Sequence, residues 1–174
     1  MKKLYIVLIS SLLAMLASQS FAKADLEIIW QEPEKYRDVR ATNESRKRFR
    51  EKTFKQLDAY IAQLAEALPD GQKLVMTVDD LDLAGEVWPA SFVGFGHGGS
   101  EVRLIKAIDI PRMSFTYQLF DEGGLVIQGS EVKLKDMSFQ HRANRFFDHE
   151  SLRYEKNMLH DWFKKEFPQL TANK

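Results

Sequence analysis

Apolar residues recur along this chain in two rhythms, and each predicts an element. Phe54, Leu57, Ile61, Leu64 and Leu68 follow one another at steps of three and four, so Glu44 to Leu68 is expected to form a long amphipathic helix. Pro69-Asp70-Gly71 supplies the turn chemistry that stops it. Met113, Phe115, Tyr117 and Leu119 instead alternate with Ser114, Thr116 and Gln118, which predicts a strand with one buried face. Asp121-Glu122-Gly123-Gly124 then turns the chain into a hairpin. In its second arm Leu125 and Ile127 hold odd positions, whereas Val132 and Leu134 hold even ones. The inward face must change parity, so a β-bulge is expected near Gly129-Ser130.

Weaker patterns fill the rest. Leu26 to Trp30 is a short apolar run ahead of Pro33, which reads as a strand entering an ordered loop from Gln31 to Thr42. Lys73 to Val78, continuing to Leu83, looks extended, with Leu74, Met76 and Val78 on one face. A glycine-bearing loop covers Trp88 to Ser100, after which Glu101 to Ile108 resumes an extended pattern until Pro111. Ser151 to Phe167 is expected to be a second helix with Leu152, Leu159, Trp162 and Phe163 inward and Pro168 beyond its end. Strand, helix, about four strands, helix predicts an α+β fold. The expected form is a two-layer sandwich, an antiparallel sheet of about four to five strands with two amphipathic helices on one face. No repeat or linker divides residues 25–174, so one domain is expected there.

Residues 1–24 read as a cleaved secretion signal. Lys2 and Lys3 form its charged start, Leu4 to Ala17 its apolar stretch, and the small residues around Ala22 and Ala24 the cut, after one or the other. That stretch falls short of the ~20 residues that cross hydrocarbon, and no later run approaches it, so no transmembrane segment is expected after cleavage. The 174 residues contain no cysteine, which removes disulfides, thiolate catalysis and the acylated cysteine of a lipoprotein. A periplasmic protein without a lipid anchor is the expectation. Basic and acidic residues number 25 each, and losing Lys2 and Lys3 tips the balance slightly acidic. That composition argues against a protein that coats nucleic acid.

Few motifs carry chemistry. Gly94 to Gly99 satisfies G-x-G-x-x-G, but a strand follows instead of the helix whose N-terminus would hold a pyrophosphate, and a surface loop is the plainer reading. His97-Gly98-Gly99 resembles an esterase oxyanion strand, yet no G-x-S-x-G elbow supplies a nucleophile. His97, His141, His149 and His160 lack metal-ligand spacing, and Asp79, Asp80, Asp82 and Glu86 lack that of a calcium loop. No cofactor or metal is implied. A carboxylate pair could serve an envelope hydrolase, the alternative reading, but nothing singles a pair out.

The most telling segment is Ser45 to Lys52, at the start of the long helix. Turning each residue by 100° places Arg46 and Arg50 on the azimuth of Leu57, Leu64 and Leu68, whereas Arg48, Lys52 and Lys55 fall opposite. Cations there oppose the helix dipole, so a negative group is expected nearby. It could be internal, Asp38, Asp109 or Asp136, or it could be an anionic envelope component. Arg142 and Arg145, with Arg153 and Asn144, form a second basic set near the last helix. Arg46, Arg50, Arg142 and Arg145 are therefore the candidate anion-binding residues. The expected activity is that of a non-catalytic binding or envelope-assembly module whose partner is an envelope protein or anionic component.

Six segments together resemble a bacterial family, the domain of unknown function 3016. They are Pro33 to Asp38, Ser45 to Phe49, Asp80 to Gly85, Ile108 to Arg112, Leu134 to Met137, and Leu152 to Lys156 continuing through Trp162-Phe163. The resemblance implies an exported Gram-negative periplasmic protein and implies no activity. The element order is also similar to that of small envelope domains acting as auxiliary subunits.

Overall fold

Ser45 starts the first helix because its extended backbone lets the hydroxyl accept the Arg48 N–H at 3.3 Å, and α1 (Arg46–Ala65) follows. Thr53, Phe54, Leu57, Tyr60, Ile61 and Ala65 are buried along it, the expected stripe. The helix stops at Ala65 rather than Leu68. The N–H groups of Ala67 and Leu68 turn to the Leu64 and Ala65 carbonyls at 3.1 and 3.0 Å in a tighter turn, and Leu68 still enters the core. This structure, a computed structural model, describes residues 23–40, 42, 44–94, 101–146 and 149–171. Residues 1–22 of the expected signal and 95–100 of the glycine-bearing loop lie outside that set.

Strands β1 (Asp25–Trp30), β2 (Lys73–Asp82), β5 (Arg112–Phe120) and β6 (Val126–Lys135) form one sheet in the order β1-β2-β5-β6. The short β3 (Glu86–Trp88) and β4 (Val102–Leu104) pair separately. The fold is α+β as expected, with one correction: the main sheet is mixed. β1 runs parallel to β2, from Asp25 opposite Lys73 to Trp30 opposite Val78. Parallel neighbours need a long crossover, which α1 provides, whereas the tight turn between β5 and β6 makes an antiparallel pair. Only Val102–Leu104 of the expected Glu101–Ile108 extension is strand.

A bulge does relieve the parity conflict in β6, but not at Gly129-Ser130. Leu119 faces Gln128 while Phe120 faces Val126, so Ile127 is the extra residue, and Gly129 and Ser130 stay in register with Gln118 and Tyr117. Even positions face inward along the strand from Gln128 onward. Leu125 and Ile127 instead stand 68% and 51% exposed, because none of the described residues covers them at the hairpin tip. A second bulge, at Asp79 in β2, shifts the buried face from Met76 and Val78 to Leu81.

Helices α1 and α2 (Arg153–Glu166) cover the same face of the sheet, and the short α3 (Pro168–Thr171) ends the described chain. Under α1, Trp30 stacks on Phe54 at 4.1 Å, and Tyr36 meets Phe54 edge-on and donates its hydroxyl to the Val78 carbonyl at 2.7 Å. That anchor draws Tyr36 and Val39 of the loop after β1 onto the core. Under α2, Trp162 sets its ring edge-on to Phe115 and Tyr117 at 4.8 and 5.5 Å. Thr116, Gln118, Glu131 and Lys133 leave the other sheet face open to water.

Candidate functional site

The loops after β1 and β2 are fastened together at one end of the molecule by Arg103. Its guanidinium donates to the Asp38 carboxylate at 2.8 Å and to the carbonyls of Asp38, Arg40, Ala84 and Gly85 at 3.0 to 3.3 Å. Glu155, at the start of α2, is buried and accepts the Ala84 N–H at 2.7 Å. Burial pushes its carboxyl up from the ordinary range, against the Ala84 N–H and the Arg103 charge. Beside this knot lies a pocket of about 270 Å³ lined by Phe49, Arg103, Glu150, Leu152, Tyr154 and Glu155, among others. Glu150 pairs with Lys156, and the backbone of Leu152 is left-handed at φ 57.

The four candidate arginines separate into two pairs. Arg142 holds Asp136 at 2.6 Å and also pairs with Asp161, while Arg145 bonds Asn157 at 3.2 Å and reaches Asp161 at 3.4 Å. Arg46 is exposed and Arg50 half-buried on the first turns of α1. Neither has an ion-pair partner among the described residues, and that first turn carries no acid. The expected internal partners are taken elsewhere, Asp38 by Arg103, Asp109 by Lys106 at 3.3 Å and Asp136 by Arg142. No sequence pattern marks Arg103 as the central cation, since its role depends on carbonyls brought together only by the fold.

Arg142 leads to a second cleft, a groove of about 610 Å³ between β6 and α2. Its strand side includes Ser130, Val132 and Leu134, and its helix side includes Met158, Trp162 and Lys165. Val132 and Leu134 point inward yet remain half-buried, because α2 sits over β5 and leaves β6 incompletely covered. One end is closed by Arg142 with its two carboxylates. At the other end Tyr117 donates to Glu166, and Gln128 donates to the same carboxylate at 2.8 Å. Burial, and the facing Glu166, push the Tyr117 hydroxyl above its ordinary range. Among the described residues no strand lies along the outer edge of β6. Glu131, Lys133 and Lys135, charges typical of an edge strand, were the available signal for this position.

Among the described residues no group of His, Asp and Glu could hold a metal, and no helix is long and apolar enough to cross a membrane. No curated protein and no solved structure matches the chain, so the likeness to auxiliary envelope domains stays one of element order. A family model described as a protein of unknown function, DUF3016, matches residues 24–165 and takes in both helices' packed faces, the Arg103 knot and all of β6. The chain belongs to that family.

Proposed function

We propose that this is an exported periplasmic protein serving as a binding or envelope-assembly module, and that it engages an extended polypeptide along the outer edge of β6. One observation carries the reading: a ten-residue strand with no outer neighbour among the described residues flanks a groove over which Val132 and Leu134 are only half covered. An added strand takes its hydrogen bonds from the main chain of such an edge and sets alternate side chains into the groove. Export is supported by Lys2-Lys3, the apolar Leu4–Ala17 and the small residues at Ala22 and Ala24. A photoreactive residue at Lys133 should form adducts with a polypeptide in intact cells, whereas one at the exposed Lys52 of α1 should not, and the recovered protein should begin at Lys23 or Asp25. Absence of adducts at position 133 overturns the edge reading, and a full-length cytoplasmic chain overturns export.

An anionic-ligand role narrows to Arg46 and Arg50, supported by the lack of an ion-pair partner for either among the described residues and by the acid-free first turn of α1. Polyphosphate affinity should fall steeply with salt and drop further in Arg46→Gln/Arg50→Gln; affinity indifferent to both removes this role. For a hydrolase, Glu150 and Glu155 do share a pocket. The Lys156 and Ala84 contacts that hold them favour a structural part for both.

A further inference from the structure

We infer that the occupant of the β6 edge is a second copy of this chain, paired antiparallel about a two-fold axis through Val132. This names the partner for the edge proposed above and rests on that reading. Residues in an antiparallel pair sit opposite when their positions mirror about the axis, so Val132 meets Val132, Ser130 meets Leu134, and Glu131 meets Lys133 of the second copy. Each interface would hold the Glu131–Lys133 match twice. Within one chain these two side chains already lie together at 2.6 Å on the solvent face, so both are placed to reach across.

The charge pattern selects this register over its neighbours. Side-chain faces stay matched only if the axis moves a whole residue, to Glu131 or Lys133, and either move sets two like charges against each other on the axis. Charged residues on an edge usually discourage pairing. Here the opposite signs of Glu131 and Lys133 make this the one register of the three that sets no like charges against each other on the axis. The same axis brings Ile127, 51% exposed beside the hairpin tip, level with Met137, 71% exposed just beyond the strand. Apolar groups that each chain leaves in water thus cover one another at both ends, and the half-covered Val132 and Leu134 gain a neighbouring layer.

Sedimentation of the mature chain, purified after export, at micromolar concentration tests the pairing. The wild type should be a dimer. Glu131→Lys and Lys133→Glu should each raise the dimer dissociation constant about tenfold or more while keeping the wild-type circular dichroism spectrum. An equimolar mixture of the two variants should dimerise again, because every cross-strand contact then joins opposite charges. A wild type that is monomeric at all concentrations, or a mixture that associates no better than its components, overturns the inference. If the wild type is monomeric while the photoreactive residue at Lys133 still captures a different polypeptide, the second copy is refuted and the edge reading stands. If neither occurs, both fall.

Discussion

Arg103 and Arg46 are both guanidinium groups, but one closes a knot of buried carbonyls and the other stands in water. A lysine lacks the planar fork that reaches Asp38, Arg40 and Gly85 together, so Arg103→Lys should cost about 2 kcal/mol in a urea titration. Arg46→Glu should instead stabilise by roughly 0.3 to 1 kcal/mol at low salt, because it exchanges a cation for an anion at the positive end of α1. Equal effects at the two positions would contradict this division. Helical angle alone placed Arg46 and Arg50 on the buried stripe, but the core ends near Thr53 and the stripe runs into solvent. Glu155 adds a pH dependence. Its carboxyl is raised in the folded chain, so the stability of the neutral form is present below the ordinary value of 4.5 and is lost as pH climbs toward the folded value. Glu155→Gln, neutral throughout, should gain on the wild type above that pH by up to about 1.4 kcal/mol per pH unit. A difference that stays constant with pH would count against burial as the cause. Gly85, at φ +77, has no room for a methyl group, since an added Cβ would lie 2.5 Å from the Leu104 carbonyl oxygen. Gly85→Ala should therefore cost about 2 kcal/mol or more by the same titration.

The two long helices and the β5–β6 hairpin were legible in the sequence because burial on one side imposes a period that side chains record. Strand direction leaves no such record. Leu26 to Trp30 reads alike whether its neighbour runs with it or against it, so the parallel pairing of β1 emerged only with α1 in place as a crossover. The parity conflict in β6 did announce a bulge, but any residue between Leu125 and Val132 could have absorbed it, and glycine drew the expectation two residues too far along. Gly129 sits in the ladder with no room for a side chain, its added Cβ only 2.9 Å from the Tyr117 carbonyl oxygen, while Ile127 takes the extra position. In dilute, dissociated protein Ile127→Lys should accordingly change stability by less than about 0.5 kcal/mol, whereas Trp162→Ala, beneath α2, should cost about 3 to 5 kcal/mol. A large loss at Ile127 would put that residue back in the core and the bulge elsewhere.

Across the whole molecule, two helices protect the central strands of the sheet and leave one flank thin. α2 lies over β5, β6 is half covered, and the groove and the unpaired edge are two sides of that single shortfall. Nothing in the order of residues encodes how far a helix is displaced across a sheet, so the groove was beyond sequence reasoning although the charges of an edge strand were in view. Amide hydrogen exchange along β6, followed as protein concentration rises, tests most directly whether this edge is open and used. In dilute protein, alternate amides from Gln128 to Lys135 should exchange far faster than those bonded to β5, and the fast set should become protected as the chain associates. Uniform protection of β6 at the lowest concentration, or association that leaves the fast amides unprotected, would contradict the account.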